Sequence, residues 1–265
     1  MLSQLLEARQ LAPQLHLEFT KASDAANRAV MSDTDEGSAA AAEESRRARQ
    51  TVEKNVARLQ PLLQSLGFAE ETGYLEEFKK GFDEYRRLDD EILPLAVENS
   101  NLKAQRLSFG PAREAADAFR TSLDAAVRSG ASKDRCRDEV LATRAQAAVL
   151  EIQVLQAPHI AEPEDDVMTH IEEQMRAADR TAEQALEQLK AGLGPAGAPH
   201  LAAGAAALDR FQAVNKEIIA LSRRNSNVRS LALSLGRKRT LTAYCDDRLQ
   251  ALEQALATHR FTATR

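Results

Sequence analysis

The chain has 265 residues and a net charge of −5, contains no Trp, and has only 4% aromatic residues. Ala, Leu, Glu, Arg and Gln dominate the composition, and these side chains lose little entropy in a helix. Because no run alternates with period two, the sequence predicts an all-α fold. The acidic balance disfavours nucleic acid as a partner, since nucleic acid binds a basic face.

Six helices are predicted in chain order. Their approximate ranges are 1–31, 36–66, 70–129, 133–157, 164–191 and 200–262. Capping and breaking residues mark the boundaries, namely SDTDEGS (32–38), Gly67, Ser129-Gly130, Pro158 with Pro163, and GLGPAGAP (192–199). A kink is expected at FGP (109–111) inside the third helix, because proline removes a backbone hydrogen bond.

One twelve-residue segment occurs twice in the chain. The two copies are NSNLKAQRLSFG at 99–110 and NSNVRSLALSLG at 225–236. The match extends without gaps from 82–123 onto 208–249, at an offset of 126 residues. A period of this length indicates that one helical unit was duplicated, in contrast to a short-period solenoid.

Helix lengths predict the topology. Helices one, two, four and five would each span roughly 40–45 Å, and helices three and six about twice that length. Six such helices predict two stacked four-helix bundles that share two long antiparallel helices. The NSN triplets would then face each other at the waist between the bundles.

This architecture corresponds to a single bimodular domain over residues 1–265, with internal repeats 1–130 and 131–265. One bundle is expected to contain about 1–98 with 231–265, and the other about 99–230. If the chain is a membrane-anchored domain, the first bundle is the membrane-proximal one and the second is membrane-distal.

The NSN triplets supply the first candidate binding residues. Asn99 and Asn225 fall on the core-facing stripe of the long helices, whereas Asn101 and Asn227 are expected to point elsewhere, since residues two apart do not share a helix face. A buried amide must be hydrogen-bonded. It either fixes the register between helices or lines a pocket for a small polar molecule. Asn101 lies at the same level of the bundle and is also a candidate ligand-binding residue.

Arg106 is a further candidate, because it falls on the same stripe where the second copy has Ala232. A guanidinium that faces a bundle interior requires a carboxylate from the protein or from a ligand. Asn27, Arg28 and Arg229 are expected near the same level. A small anionic ligand, an internal ion pair and an arginine reaching the surface are the open alternatives.

The remaining chemistry is sparse. The five histidines lie far apart and Cys136 and Cys245 occur in unrelated contexts, so the sequence predicts no metal site and no cofactor. No catalytic motif occurs, which predicts a protein without enzymatic activity. No signal peptide and no apolar stretch of about 20 residues is found, so the chain is expected to be soluble, either by itself or as a domain between membrane segments.

Three segments resemble the periplasmic helical-bundle sensor domains of bacterial chemoreceptors, the methyl-accepting chemotaxis proteins. They are EFTKASDAANRAVMSDTDEGS (18–38), VENSNLKAQRLSFGPA (97–112) and NSNVRSLALSLGRKRTLTAYCDDRL (225–249). The doubled architecture is similar to the helical bimodular type of this group. The likeness is one of pattern over nearly the whole chain, and it carries over no binding residue.

The resemblance implies a periplasmic ligand-binding domain of an inner-membrane protein, held by flanking transmembrane segments that are not in this chain. It implies a small organic acid or a periplasmic binding protein as partner, a homodimer, and signal transduction in chemotaxis by small helix shifts. The alternative is a soluble cytoplasmic scaffold or adaptor that binds partner helices through an apolar groove.

Overall fold

The computed structural model describes residues 1–130 and 134–259. All regular structure in this part of the chain is helical, which confirms the predicted all-α class. The helices are α1 (Leu2–Met31), α2 (Asp35–Leu66), α3 (Ala69–Glu98), α4 (Ser100–Leu107), α5 (Arg113–Ser129), α6 (Arg135–Ala161), α7 (Asp165–Gly192), α8 (Ala198–Arg224), α9 (Ser226–Leu233) and α10 (Arg239–Thr258). The predicted start of the fourth helix at 133 and the end of the sixth at 260–262 lie outside the described residues.

The chain divides into two compact units. Unit one consists of residues 1–99 with the described residues from Arg229 onward, and unit two is Ser100–Val228 without 131–133. In unit one, α1, α2, α3 and α10 pack as a ring of neighbours. In unit two, α5, α6, α7 and α8 form the equivalent ring, and α4 packs against α8.

The two cores differ in their side chains. Unit one contains an aromatic cluster in which the Phe19 ring centroid lies 5.6 Å from that of Phe78 and 5.2 Å from that of Tyr85. Unit two relies on alanines packed around Phe119 and Phe211. Burial of each large apolar side chain stabilises a unit by about 1.5–3 kcal/mol.

Local signals explain where several helices begin and end. Thr34 Oγ1 accepts a hydrogen bond from the Gly37 N–H at 3.1 Å and caps α2. Gly67 ends α2 with φ of 71°, a left-handed conformation that costs glycine little. Asp134 caps α6 by accepting from the Arg137 N–H at 3.1 Å.

The third and sixth predicted helices are each interrupted at the asparagine that opens the NSN triplet. Asn99 has φ of 52° and Asn225 has φ of 53°, and these are the only described non-glycine residues with positive φ. Asparagine tolerates this conformation better than most residues. The prediction of two uninterrupted helices of about 60 residues is therefore wrong at these two positions.

A π-helical segment follows each interruption. The segments are Ser108–Ala112, at the expected FGP kink, and Ser234–Lys238, which is its counterpart at the same offset of 126 residues. Gly236 in the second segment has a non-helical ψ of −116°. The duplicated sequence thus adopts the same irregular backbone twice.

The left-handed residue resets the helical phase, which corrects the predicted core stripe. Arg106, expected to face the interior, is exposed, and Phe109 is 66% exposed. The buried residues of α4 are instead Ser100, Asn101 and Ala104. The expectation that Asn101 points away from the core is wrong for the same reason.

Pro158 was predicted to end the fourth helix, but α6 continues to Ala161. A proline in the last turn removes only one hydrogen bond near the helix end. The continuation places the buried side chain of His159 in contact with Ser222. Cys136 is exposed and Cys245 is buried, and both are free.

We expect Asn99→Ala to lower the free energy of unfolding by about 1–2 kcal/mol more than Asn99→Gly, because only glycine adopts positive φ without cost. Chemical denaturation of the two variants measures this difference. At Asn55, a buried residue inside α2, the order should invert, with glycine less stable than alanine by about 0.5–1 kcal/mol. The same order at both positions would contradict the left-handed assignment.

Candidate functional site

Side chains of the two NSN triplets cap each other's helices inside unit two. The Ser100 N–H donates to Ser226 Oγ at 2.9 Å, and the Ser226 N–H donates to Ser100 Oγ at 3.0 Å. The N–H groups of Asn101 and Asn227 donate in the same reciprocal way to the opposite amide oxygen, both at 3.1 Å. Four backbone donors at the starts of α4 and α9, which have no partner within their own helices, are thereby satisfied.

The asparagine amides make further bonds to the turn between α6 and α7. Asn101 Nδ2 donates to the Ile160 carbonyl at 2.7 Å and to Asn225 Oδ1 at 2.8 Å. Asn225 Nδ2 donates to the Glu162 carbonyl at 2.7 Å. In unit one, Asn99 Nδ2 donates to Ser38 Oγ at 3.0 Å. These hydrogen bonds hold neighbouring segments together, which is the structural role considered for the amides. They leave the amides little hydrogen-bonding capacity for a ligand.

The other candidate residues are not brought to one place. Arg106 and Arg229 are exposed. Arg28 is exposed and pairs with Glu44 at 2.8 Å. Asn27 alone among the candidates lines a cavity.

The cavity that Asn27 lines lies in unit one, between α1 and the stretch formed by α9, the second π-helical segment and α10. Its volume is about 420 Å³, within the range of small-molecule sites. Its polar lining consists of Ser23, Asn27, Ser234, Lys238, Arg239, Thr242 and Asp246. Exposed apolar residues form its rim, with Met31 72% and Leu235 62% exposed.

Lys238 forms the charged floor of this cavity. The Lys238 side chain is only 1% exposed, and its ammonium lies 2.5 Å from Oδ1 of Asp89, whose side chain is fully buried. Burial lowers the pKa of Lys238 from its ordinary value, while the Asp89 charge opposes that shift. A buried charge is tolerated only when it is paired, so each residue requires the other.

Three neighbours complete the environment of Asp89. Ser45 Oγ donates to Asp89 Oδ2 at 3.2 Å, and the Arg49 guanidinium lies 3.8 Å from the same oxygen. The Lys238 ammonium also lies 5.1 Å from the centroid of the Tyr85 ring. Burial, together with the Asp89 charge, raises the pKa of the Tyr85 hydroxyl well above its ordinary value.

The equivalent positions of unit two are neutral. At the offset of 126 residues, Asp89 corresponds to Asn215 and Lys238 to Ala112. Asn215 Nδ2 lies 3.9 Å from Met175 Sδ, and Met175 corresponds to Arg49 at the same offset. The duplicated scaffold therefore accommodates neutral residues here, and the charges are a property of unit one.

Unit two contains a different buried polar network around His159. Its Nε2 lies 3.0 Å from Glu172 Oε1, and its Nδ1 lies 2.9 Å from Ser222 Oγ. Arg223 Nε donates to Glu172 Oε1 at 2.6 Å. Burial lowers the pKa of His159. Burial opposes the charged form of Glu172, but hydrogen bonds from Arg223 and His159 outweigh it and lower its pKa.

Sequence reasoning missed Lys238, Asp89 and His159. A signal existed for Lys238, since Ser230, Ser234 and Lys238 follow one another at intervals of four and are all buried. The sequence shows that stripe only if the helical periodicity is counted anew from the residue after Asn225, where a new helix begins. Asp89 and His159 carry no sequence signal that separates them from exposed polar residues.

No protein-family model matches the chain, and no curated protein matches it. Within residues 1–130 and 134–259, no group of three or more His, Cys, Asp or Glu could hold a metal ion. No helix of that same part is long and apolar enough to cross a membrane. The geometry of the cavity is therefore the main guide to function.

We expect Lys238→Met to lower the free energy of unfolding by about 3–5 kcal/mol, because it removes the nearest cation from the buried Asp89 carboxylate and leaves only the more distant Arg49 guanidinium. The double variant Asp89→Asn/Lys238→Met should recover most of this loss. The control is Arg237→Met, since Arg237 is exposed and pairs with Glu84 at 2.8 Å, a contact worth less than about 1 kcal/mol. Equal effects of Lys238→Met and Arg237→Met in urea titrations would refute the buried pair.

Stability should fall as the pH decreases below about 6.5, the ordinary pKa of histidine. The pKa of His159 is lower in the folded state, so the unfolded state takes up a proton first. Thermal unfolding between pH 7 and pH 5.5 should show a shallower pH dependence in His159→Gln than in the original protein. His170→Gln is the matched control, because His170 is exposed on α7, and it should retain the original pH dependence.

Proposed function

We propose that the chain is a ligand-sensing helical domain, without enzymatic activity, whose binding site is the cavity of unit one. The observation that carries the proposal is the buried Lys238–Asp89 pair at the floor of a cavity of about 420 Å³. Unit two has neutral residues at both positions, so the fold itself does not require the charges. We attribute their retention in unit one to a ligand in the cavity that Lys238 lines.

The lining favours a small ligand with an anionic head and a short apolar body. The Arg239 guanidinium and the hydroxyls of Ser23 and Ser234 are donors suited to a carboxylate, and the buried Lys238 ammonium lies beneath them. Asp246 also lines the cavity, and burial raises the pKa of its carboxyl group. The apolar rim would cover the remainder of the ligand.

A ligand in this cavity would touch two elements that can shift relative to each other. Asn27 belongs to α1, whereas Ser234 and Lys238 belong to the π-helical segment before α10. Segments of this kind are frequent at functional sites. A ligand that binds one arrangement of α1 and α10 more tightly than another would convert binding into a helix shift.

The wider proposal follows the resemblance to bimodular chemoreceptor sensor domains. The two units would be stacked bundles, and the domain would be held in the periplasm as a homodimer by membrane segments outside this chain. A periplasmic binding protein is the alternative partner for such a domain. Fractionation of cells that express the full-length protein tests the location, and a cytoplasmic soluble fraction would favour the scaffold alternative.

The ligand site is tested by thermal unfolding in the presence of small carboxylates, amino acids and amines. A ligand that binds only the folded state stabilises it by about 2.7 kcal/mol at a hundredfold excess over its dissociation constant. We expect a shift with at least one small carboxylate and its loss in the variants Asn27→Ala and Arg239→Ala.

Two controls locate the site. Arg28→Ala removes an exposed cation next to Asn27 that does not line the cavity, and Arg106→Ala removes an exposed cation of unit two. Both should keep the shift. A shift that disappears in Arg106→Ala but survives in Asn27→Ala would move the site out of the cavity, and no shift with any compound would refute a small-ligand sensor of this class.

A further inference from the structure

Helix α6 carries apolar residues on two opposite faces. One face is buried in unit two and includes Leu141, Ala145, Val149 and Ile152. The opposite face is apolar as well, although it is exposed to solvent. Val140 and Val154 are each 65% exposed, and Leu150 is 59% exposed. A helix that is apolar on both sides requires a partner on each.

The exposed residues recur with the spacing of a coiled-coil seam. With Val140 as position a of a heptad, the a and d positions are Cys136, Val140, Thr143, Ala147, Leu150, Val154, Ala157 and Ala161, and all eight are exposed. Asp138, Ala145, Ile152 and His159 fall at position f, opposite the seam, and are buried. These eight residues, named here the α6 seam, are thus exposed along the whole helix, and three of them, Thr143, Ala147 and Leu150, also line a groove between α6 and α5.

The equivalent face of unit one does not repeat the valines and the leucine of the seam. At an offset of 130 residues, the buried residues of α6 coincide with those of α1, for example Leu141 with Leu11 and Ile152 with Ala22. The α1 counterparts of the eight seam positions are Leu6, Gln10, Pro13, Leu17, Thr20, Asp24, Asn27 and Met31, so the exposed Val140, Leu150 and Val154 are replaced by Gln10, Thr20 and Asp24. The fold therefore does not dictate an apolar surface at this position.

We propose that the α6 seam is the interface with a second copy of this chain. Valine at position a with leucine at position d favours two-stranded parallel pairing. Parallel pairing also places Glu139, at position g, opposite Arg144 of the second copy at position e, so that two ion pairs form by symmetry. The small residues Ala147, Ala157 and Ala161 allow the two helices to approach closely.

The expected parallel orientation rests on the proposed function, since two copies anchored in one membrane must point the same way. The interface itself rests only on the exposure and the heptad pattern of α6. An antiparallel pair would place Arg144 opposite Glu151 of the second copy, and this difference allows the orientation to be measured.

The interface is tested by analytical ultracentrifugation of the full chain under reducing conditions, at protein concentrations up to about 1 mM, where even a dimer with a dissociation constant near 1 mM is half formed. We expect a dimer whose dissociation constant rises at least about 100-fold in Leu150→Asp, because a charge would be buried without a partner. Leu17→Asp is the matched control, since Leu17 is the counterpart of Ala147 on α1 and is 54% exposed, and it should dimerise normally.

Charge exchange distinguishes the orientations. Arg144→Glu should weaken the dimer by about tenfold through like-charge repulsion. Rescue by Glu139→Arg supports the parallel seam, and oxidation of the original protein should then join the two copies through Cys136. Rescue by Glu151→Arg instead would keep the interface but refute both the parallel orientation and the anchoring of two copies in one membrane.

Two results would overturn the inference. The first is a monomer at every concentration, and the second is a dimer that Leu150→Asp leaves unchanged. Neither depends on the ligand cavity, so a monomer that still shows the carboxylate-induced shift would refute the interface and leave the ligand site standing. Circular dichroism of each variant checks that α6 remains folded.

Discussion

The reciprocal hydrogen bonds between the NSN triplets are the constraint on which the rest of the structure depends. A helix that begins in the middle of a chain leaves backbone N–H groups without partners. Here two helices begin at equivalent positions, and the side chains of Ser100, Asn101, Ser226 and Asn227 satisfy each other's backbone donors. The two segments must lie side by side for these bonds to form, so the sequence repeat and the spatial pairing have the same cause.

The left-handed asparagines make this arrangement possible. Asn99 and Asn225 end one helix and let the next begin with a new phase, which turns serine and asparagine side chains into the interior. A regular helix through the same sequence would bury Arg106 and expose Asn101. The conformational cost of positive φ is offset by the hydrogen bonds that the turned side chains gain.

Duplication gave the chain two similar scaffolds, and their differences indicate where each has specialised. Unit one has the buried charge pair Lys238–Asp89 beside a cavity, where unit two has Ala112 and Asn215. Unit two has Val140, Leu150 and Val154 exposed on the α6 seam, where α1 of unit one has Gln10, Thr20 and Asp24. Since each copy folds with its own set, the shared scaffold does not require either feature, and we explain each by a contact outside the unit.

Sequence alone determined the helical class, the duplication and most helix boundaries, because composition, breakers and a gapless repeat are local signals. Thr34 and Gly67 act where the sequence placed a cap and a stop, since capping involves neighbours in the chain. The interior-facing residues beyond Asn99 could not be predicted, because a single left-handed residue rotates everything that follows it. Only the tertiary structure decided which polar residues are buried together, since the pairing of Lys238 with Asp89 joins residues almost 150 positions apart.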